Sequence, residues 1–349
     1  MVKILLVSPL PPPTGGIATW TVRYKQYCDK HAIATSIVNS ALKLLRTQDA
    51  SKRVLLDEIS RSLGIVKELI CQILTNKPDV VHFNTSCSGF GIYRDCFCVV
   101  IAKMLSIPVV LQCHCNIQDQ INGKFAEFAF RIMAAASKKV LVLNRFSAAY
   151  AGRIVPNRVE VVPNFANDKD LFVRKSVSDT IRNVLFVGHV RKEKGAQEIF
   201  EAAEKCKDIH FTLVGPVELS EAELPHCSNV ELLGSQPHEI VSQLLRESDA
   251  FLFPSYTEGF ANALVEAMAA GLPVIATDVG ANAEMIENDG GIITPVGDSK
   301  ALVSAIAELN EDPDRRLCMS NWNTKKVCAT YLLDMVMERF MDIYVEVVM

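Results

Sequence analysis

Two glutamates, Glu258 and Glu266, stand in the chemically richest segment of the chain, Phe253–Pro273 (FPSYTEGFANALVEAMAAGLP). The order of residue types reads as a strand, a loop, a helix, and then a glycine stop followed by proline. Glu258 falls in the loop. Glu266 falls inside the helix among Ala, Val, Leu and Met, which predicts a largely buried carboxylate. A buried charge without partners is expensive, so Glu266 needs hydrogen-bond donors, and the two vicinal hydroxyls of a ribose are suitable ones. The loop Gly259, Phe260, Ala261, Asn262 leads into the helix start, where free N–H groups and the helix dipole favour a phosphate. A ribose beside a diphosphate is a nucleotide. Taken alone, two glutamates eight residues apart are a weak signal, better explained by chance or a structural salt bridge.

A second cluster, Cys113-His114-Cys115, invites a metal reading. Alternate residues of a strand point to opposite faces, however, and no second ligand pair sits at finger spacing, so no metal is expected. The eleven cysteines are odd in number, and several, such as Cys71, Cys96 and Cys98, lie in apolar runs. They read as buried thiols in a reducing cytoplasm rather than as disulfides.

The elements that must position these residues follow one plan twice. The first half opens with the strand Lys3 to Ser8, and the second with Asn183 to Gly188. Behind each come short apolar runs separated by helix-length amphipathic segments. Those of the first half lie near 34–38, 79–83, 108–113, 139–143 and 159–162. Those of the second lie near 210–214, 230–233, 250–253, 273–277 and 291–294. Continuous rather than alternating apolar runs are what strands covered on both faces require, and strands alternating with helices imply parallel sheets. The length of 349 residues suits two such domains. The predicted division is 1–166 against 167–329, with a C-terminal helix over about 330–349 crossing back to the first domain.

Charge and hydropathy exclude other classes. The formal net charge of −4 gives no bulk attraction to nucleic acid, and no apolar stretch reaches the roughly 18–20 residues of a membrane span. The N-terminal run Met1 to Val7 is too short for a signal-peptide core and reads as the first strand. Ala41 to Asn76 carries Lys43, Arg46, Lys52, Arg53, Arg61 and Lys67 among apolar residues. It predicts a long helix whose basic side is either a solvated face or a surface for acidic lipid heads.

The stretch Asp249 to Gly280 (DAFLFPSYTEGFANALVEAMAAGLPVIATDVG) resembles the E-x7-E element of family 4 glycosyltransferases, and Gly280 to Ile286 resembles the turn that follows it. Upstream, Val187 to Gly195 (VGHVRKEKG) is similar to the family's diphosphate-gripping loop. Val161 to Asn164 resembles its interdomain element, Val110 to His114 its strand ending in histidine, and Pro11 to Gly16 its N-terminal glycine loop. The resemblance runs over most of the chain and is strongest in the second half.

What the resemblance implies is a GT-B fold, two Rossmann-like domains facing across a cleft, and retaining transfer of a sugar from a nucleotide diphosphate donor without a metal. The implied context is surface-polysaccharide or glycolipid assembly, with a glycan or lipid-linked acceptor. The expected setting is the cytoplasm, with peripheral contact at the inner membrane face through the first domain. Glu266 matches the ribose carboxylate, Glu258 the residue beside the donor sugar, Lys194 the diphosphate lysine and His114 the histidine that contacts the transferred sugar. A satisfied core histidine is the alternative for His114. Gly15 and Gly16 would allow close backbone approach, and Gly188 ends the strand before the diphosphate loop. Where the family has an arginine this chain has His189, and Arg191 is the alternative cation. The D-x-D formed by Asp168, Lys169 and Asp170 lies in the linker and is expected to be a solvated turn. A nucleotide-sugar epimerase on the same fold and a non-catalytic binding subunit are the rival functions. A NAD-dependent dehydrogenase is disfavoured, because no G-x-G-x-x-G follows either opening strand.

Overall fold

The computed structural model describes residues 2–12, 15–41, 55–225 and 227–349, which form two compact units, 1–163 with 337–349 and 164–336. Pro13, Thr14, Lys43, Arg46, Lys52 and Arg53, singled out from the sequence, lie outside the described residues.

In the first unit the elements follow as β1 (Ile4–Ser8), α1 (Gly16–Lys30), β2 (Thr35–Asn39), α2 (Leu55–Asn76), β3 (Val80–Thr85), α3 (Gly91–Met104) and β4 (Val109–Cys113). After these come α4 (Ile117–Gln120), α5 (Lys124–Ala136), β5 (Lys139–Val142), α6 (Arg145–Gly152) and β6 (Val159–Val161). All six strands are parallel, in the order β2-β1-β3-β4-β5-β6. Strands β1, β3 and β4 are buried along their whole length, which is why their sequences are apolar without alternation.

The second unit contains β7 (Asn183–Val187), α7 (Ala196–Lys205), β8 (His210–Val214), β9 (Val230–Gly234), α8 (His238–Glu247), β10 (Ala250–Phe253) and α9 (Asn262–Ala269). It continues through β11 (Val274–Thr277), α10 (Asn282–Ile286), β12 (Gly291–Thr294), α11 (Ser299–Glu311) and α12 (Pro313–Thr330). Its parallel sheet has the order β12-β11-β10-β7-β8-β9. Both orders are doubly wound, and the second is the Rossmann order.

The last helix, α13 (Leu333–Val348), begins in the second unit, and its residues from Met337 onward pack in the first. A buried polar chain holds it there. The Tyr344 hydroxyl lies 2.8 Å from that of Tyr24 and bonds His82 Nδ1, and His82 Nε2 lies 3.0 Å from Gln112 Oε1. Burial lowers the His82 pKa to about 3, so the ring is neutral, with one N–H to donate. The consistent assignment has Nε2–H donating to Gln112 and the Tyr344 O–H donating to Nδ1.

Two local expectations need correcting. Asp170 is buried, not solvated: it accepts from Asn167 Nδ2 at 3.0 Å within the 3-10 turn 168–170 and pairs with His238 Nε2 at 3.0 Å. Asp168 does face solvent. All eleven cysteines are free thiols, and Cys98 is buried, but Cys71 is exposed because it falls on the outward side of α2.

Candidate functional site

In the second unit the chain runs from β7 out to β9 and returns to the other side of β7 at β10. Ligands of open parallel sheets bind beyond the carboxyl ends of the strands at such a reversal. The loops that follow β7 and β10 are the ones carrying the predicted residues.

After β7, Lys192–Lys194 form one 3-10 turn closed by Gly195 at φ +77. A Cβ at Gly195 would come within 2.2 Å of the Pro254 carbonyl oxygen, so only glycine lets the two loops touch. Tyr256 N–H donates to the Glu193 carbonyl at 3.0 Å across the same contact. This closeness puts the Lys194 ammonium in an ion pair with Glu258, both side chains being largely shielded from solvent. The Ser255 hydroxyl donates to the same carboxylate at 2.9 Å. From the far side, Gly280 at φ +56 backs the loop, since a Cβ there would stand 2.3 Å from the Glu258 carbonyl oxygen. Ala281 N–H donates to the Gly259 carbonyl at 3.1 Å. The carboxylate and the ammonium are thus fixed by three loops.

The helix α9 starts directly after Gly259, Phe260 and Ala261. Its cap residue Ala261 is extended and offers no side-chain acceptor to the first turn. Asn262 accepts from the Asn164 Nδ2 at 2.9 Å, which ties the first residue of the second unit to the helix start. Leu264, Val265, Ala267 and Met268 fill the buried side of α9. Glu266 lies four residues after Asn262 and therefore shares its less covered face, so it is half-buried rather than largely buried. Sequence neighbours alone had obscured this, because the apolar residues belong to the other side of the helix.

His189 and Arg191 gather on a residue that the sequence did not single out. Glu218, just past β8, accepts from His189 Nδ1 at 2.7 Å and from Arg191 Nη1 at 3.3 Å. His189, and Arg191 with it, holds the Glu218 carboxyl below its ordinary range. The backbone bridge between Val190 and Val217 holds these loops together, with Val190 N–H donating to the Pro216 carbonyl at 2.8 Å. The two alternatives for the missing family arginine therefore share one carboxylate. Gly188 sits at the start of this loop, its N–H donating to the Val214 carbonyl at 2.9 Å.

The first unit holds the other predicted residues. His114 follows β4, its N–H donating to the Thr85 carbonyl at 2.9 Å. Its ring stands edge-on to Trp20, with centroids 5.1 Å apart. Among the described residues its buried Nε2 has no hydrogen-bond partner, so it is not a satisfied core histidine. Burial, and then the neighbouring His82, lower its pKa to about 3, which keeps the imidazole neutral. Gly15 caps α1 with extended backbone and open space around its Cβ position, and Gly16 is the first helical residue. Nothing in the backbone at Gly15 demands glycine. Among the described residues, no group of three or more His, Cys, Asp or Glu is placed to hold a metal ion.

Comparison with known proteins identifies the family and the fold. The profile of Glycosyltransferase Family 4 matches residues 14–170, and that of Glycosyl transferases group 1 matches residues 181–312. The chain belongs to glycosyltransferase family 4. This family 4 transferase is 30% identical over 188 residues to the N,N'-diacetylbacillosaminyl-diphospho-undecaprenol alpha-1,3-N-acetylgalactosaminyltransferase of Campylobacter jejuni, covering 52% of this chain and 49% of that protein. Across the first curated relatives the chain spans between 43% and 67% of their length. Sucrose-phosphate synthase from Thermosynechococcus elongatus superposes with a TM-score of 0.80 at 17% identity, covering 99% of both chains. The Anabaena protein HepE, solved in complex with UDP-glucose, gives 0.76 at 16% identity, covering 99% of this chain and all of that one. The fold of the transferase is GT-B, as its sequence implied.

Proposed function

We propose that this glycosyltransferase moves a sugar from a nucleoside diphosphate sugar to a glycan or lipid-linked saccharide acceptor, with retention of configuration and without a metal. The observation that carries the proposal is the Lys194–Glu258 pair at the strand-order reversal, in the loops that lead into α9, the helix that carries Glu266 one turn after its start. The Lys194 ammonium has three donors, so it can hold Glu258 and a diphosphate oxygen together. The uncapped first turn of α9 offers further N–H groups to the same diphosphate. Glu266 accepts from the ribose hydroxyls, and Glu258, steadied by Lys194 and Ser255, faces the donor sugar.

As the C1–O bond breaks, negative charge grows on the departing diphosphate, where Lys194, the helix amides and His189 or Arg191 stabilise it. The acceptor hydroxyl attacks from the leaving-group face and gives its proton to that diphosphate. His114, neutral through the physiological range, serves as a hydrogen-bonding group toward the sugar and not as a base. The Campylobacter relative's diphospho-undecaprenol acceptor and the UDP-glucose bound by HepE support this choice of substrate classes. Eleven free thiols support a reducing, cytoplasmic setting.

The test incubates the enzyme with panels of UDP-, GDP- and ADP-sugars, with and without polyprenyl-diphosphate-linked saccharides, in the presence and absence of EDTA. Product saccharide that needs both substrates and survives chelation is expected. Epimerised donor without acceptor would make the enzyme an isomerase. Loss with EDTA and recovery with manganese would end the metal-free reading.

A further inference from the structure

We propose that Cys87 and Cys115 form a reversible thiol–disulfide switch beside His114, closed by hydrogen peroxide and reopened by a small thiol. Strands β3 and β4 are neighbours, with Thr85 opposite Cys113 at their carboxyl ends. Cys113 and Cys115 lie in the apolar core of the first unit that also holds Cys87, whereas His114 between them faces Trp20. Cys87 follows Thr85 by two residues, and its N–H donates to the Thr85 hydroxyl at 3.0 Å. Its backbone is left-handed, at φ +54, which is uncommon for a residue that carries a Cβ. The side chain is buried even though Ser86 and Gly89 on either side are exposed.

Three thiols meet at this point. The Cys87 thiol interacts with those of both Cys113 and Cys115. Their S–H groups hold it below the ordinary range of a thiol, whereas the same contact and burial push Cys113 and Cys115 up. Cys28 and Cys98 are buried as well, and burial pushes both of them up, as in ordinary core thiols. One sulfur with thiolate character thus faces two protonated ones, the arrangement of an attacking and a resolving cysteine. Cys113 is fixed in the ladder between Thr85 and Val142. Cys115 lies beyond the strand, in the bend before α4, so its sulfur is the one that can move onto Cys87.

The Cys87 thiolate attacks a peroxide oxygen and breaks the O–O bond, which leaves a sulfenic acid. The departing hydroxide takes up the proton that the thiol had lost and becomes water. The Cys115 sulfur then attacks the sulfenic sulfur, its S–H proton leaves with the hydroxyl as a second water, and the S–S bond closes. Two thiols have given up two electrons, and one peroxide has become two waters. Two equivalents of a small thiol reverse the step by exchange and leave as their own disulfide. Peroxide is little larger than water, and the exposed loop that carries Cys87 need open only locally to admit it. His114 stands between a fixed Cys113 and a movable Cys115, so drawing Cys115 onto Cys87 twists the backbone at His114 and shifts its ring against Trp20. The effect on transfer rests on the proposed place of His114 toward the donor sugar, whereas the sulfur chemistry does not.

The test oxidises the full chain with hydrogen peroxide, alkylates the remaining thiols and maps the peptides by mass spectrometry without reduction. A Cys87–Cys115 disulfide is expected, together with a change in Trp20 fluorescence and a loss of transfer of roughly tenfold or more, all reversed by dithiothreitol. Affinity for the free nucleoside diphosphate should be unchanged, since Lys194 and Glu266 lie in the second unit. Cys87→Ala and Cys115→Ala should each transfer at the parent's rate when reduced, keep that rate under peroxide and show no change in fluorescence. Melting temperatures near the parent's establish that both are folded, and Cys115→Ala decides alone if Cys87→Ala is not. Peroxide that leaves Cys87 unlinked to Cys115, or that inactivates the variants as it does the parent, overturns the switch. A disulfide that leaves transfer unchanged overturns it too. A reduced chain that transfers no sugar counts against the proposed function instead, and the disulfide and the Trp20 signal then still decide the sulfur chemistry.

Discussion

In the proposed function Glu266 and Lys194 serve the donor through different means. Lys194 is held by Glu258 before any substrate enters, so its position is set by the protein. Glu266 lies on the less covered face of α9, and in the proposed function its contribution comes from two charge-assisted hydrogen bonds to the ribose. Glu266→Gln should therefore keep the fold and weaken nucleotide-sugar affinity by about 1.5–3 kcal/mol, read by calorimetry. Unchanged affinity for UDP-, GDP- and ADP-sugars would show that Glu266 does not hold the ribose. Most of this constellation was legible in the sequence, because residue type and spacing within one loop-helix segment are local properties. Glu218 and Ser255 were not legible. Each earns its place through a neighbour distant along the chain, His189 for Glu218 and the folded-back loop for Ser255, and no spacing rule reports that.

At the scale of elements, the strands were readable from continuous apolar runs, since burial on both faces leaves no alternation to confuse with a helix. The orders of the two sheets were not, because a run of apolar residues does not name its neighbours. Glycine conformation adds a test of how the loops hold the site. Gly280 combines φ +56 with a Cβ position 2.3 Å from the Glu258 carbonyl oxygen, so Gly280→Ala should cost about 1–3 kcal/mol of stability and weaken donor binding as the Glu258 loop shifts. Gly64, within α2 and with open space around its Cβ position, supplies the contrast. Gly64→Ala should raise stability by about 0.5–1 kcal/mol and leave donor binding alone. Thermal melts with and without nucleotide sugar measure both. If the two variants behave alike, the close approach at Gly280 does not hold the loop.

Across the whole molecule, stability should depend on pH through two histidines that folding keeps neutral. His82 and His114 both have pKa values lowered to about 3, chiefly by burial, with His82 adding to the shift at His114. In the unfolded chain each titrates near 6.5. The folded values lie below the unfolded ones, so between about pH 6.5 and 3 the unfolded state binds protons that the folded state does not. Stability is then independent of these groups above pH 6.5 and falls as the pH drops below it, by at most about 1.4 kcal/mol per pH unit for each histidine. Between pH 6.5 and 5 the ordinary carboxylates remain ionised, so this window isolates the histidines from general acid unfolding. His82→Gln removes one titrating group while leaving an amide for the Tyr344 hydroxyl to meet. It should lower stability at pH 7.5, where the buried polar chain through Tyr24, Tyr344 and Gln112 is disturbed, yet flatten the loss between pH 6.5 and 5 by about half. Denaturant unfolding at half-unit steps of pH reads both effects. A slope in that window as steep as the parent's would mean that the His82 ring takes up its proton without leaving the folded state, and that the C-terminal helix is not held by a neutral imidazole.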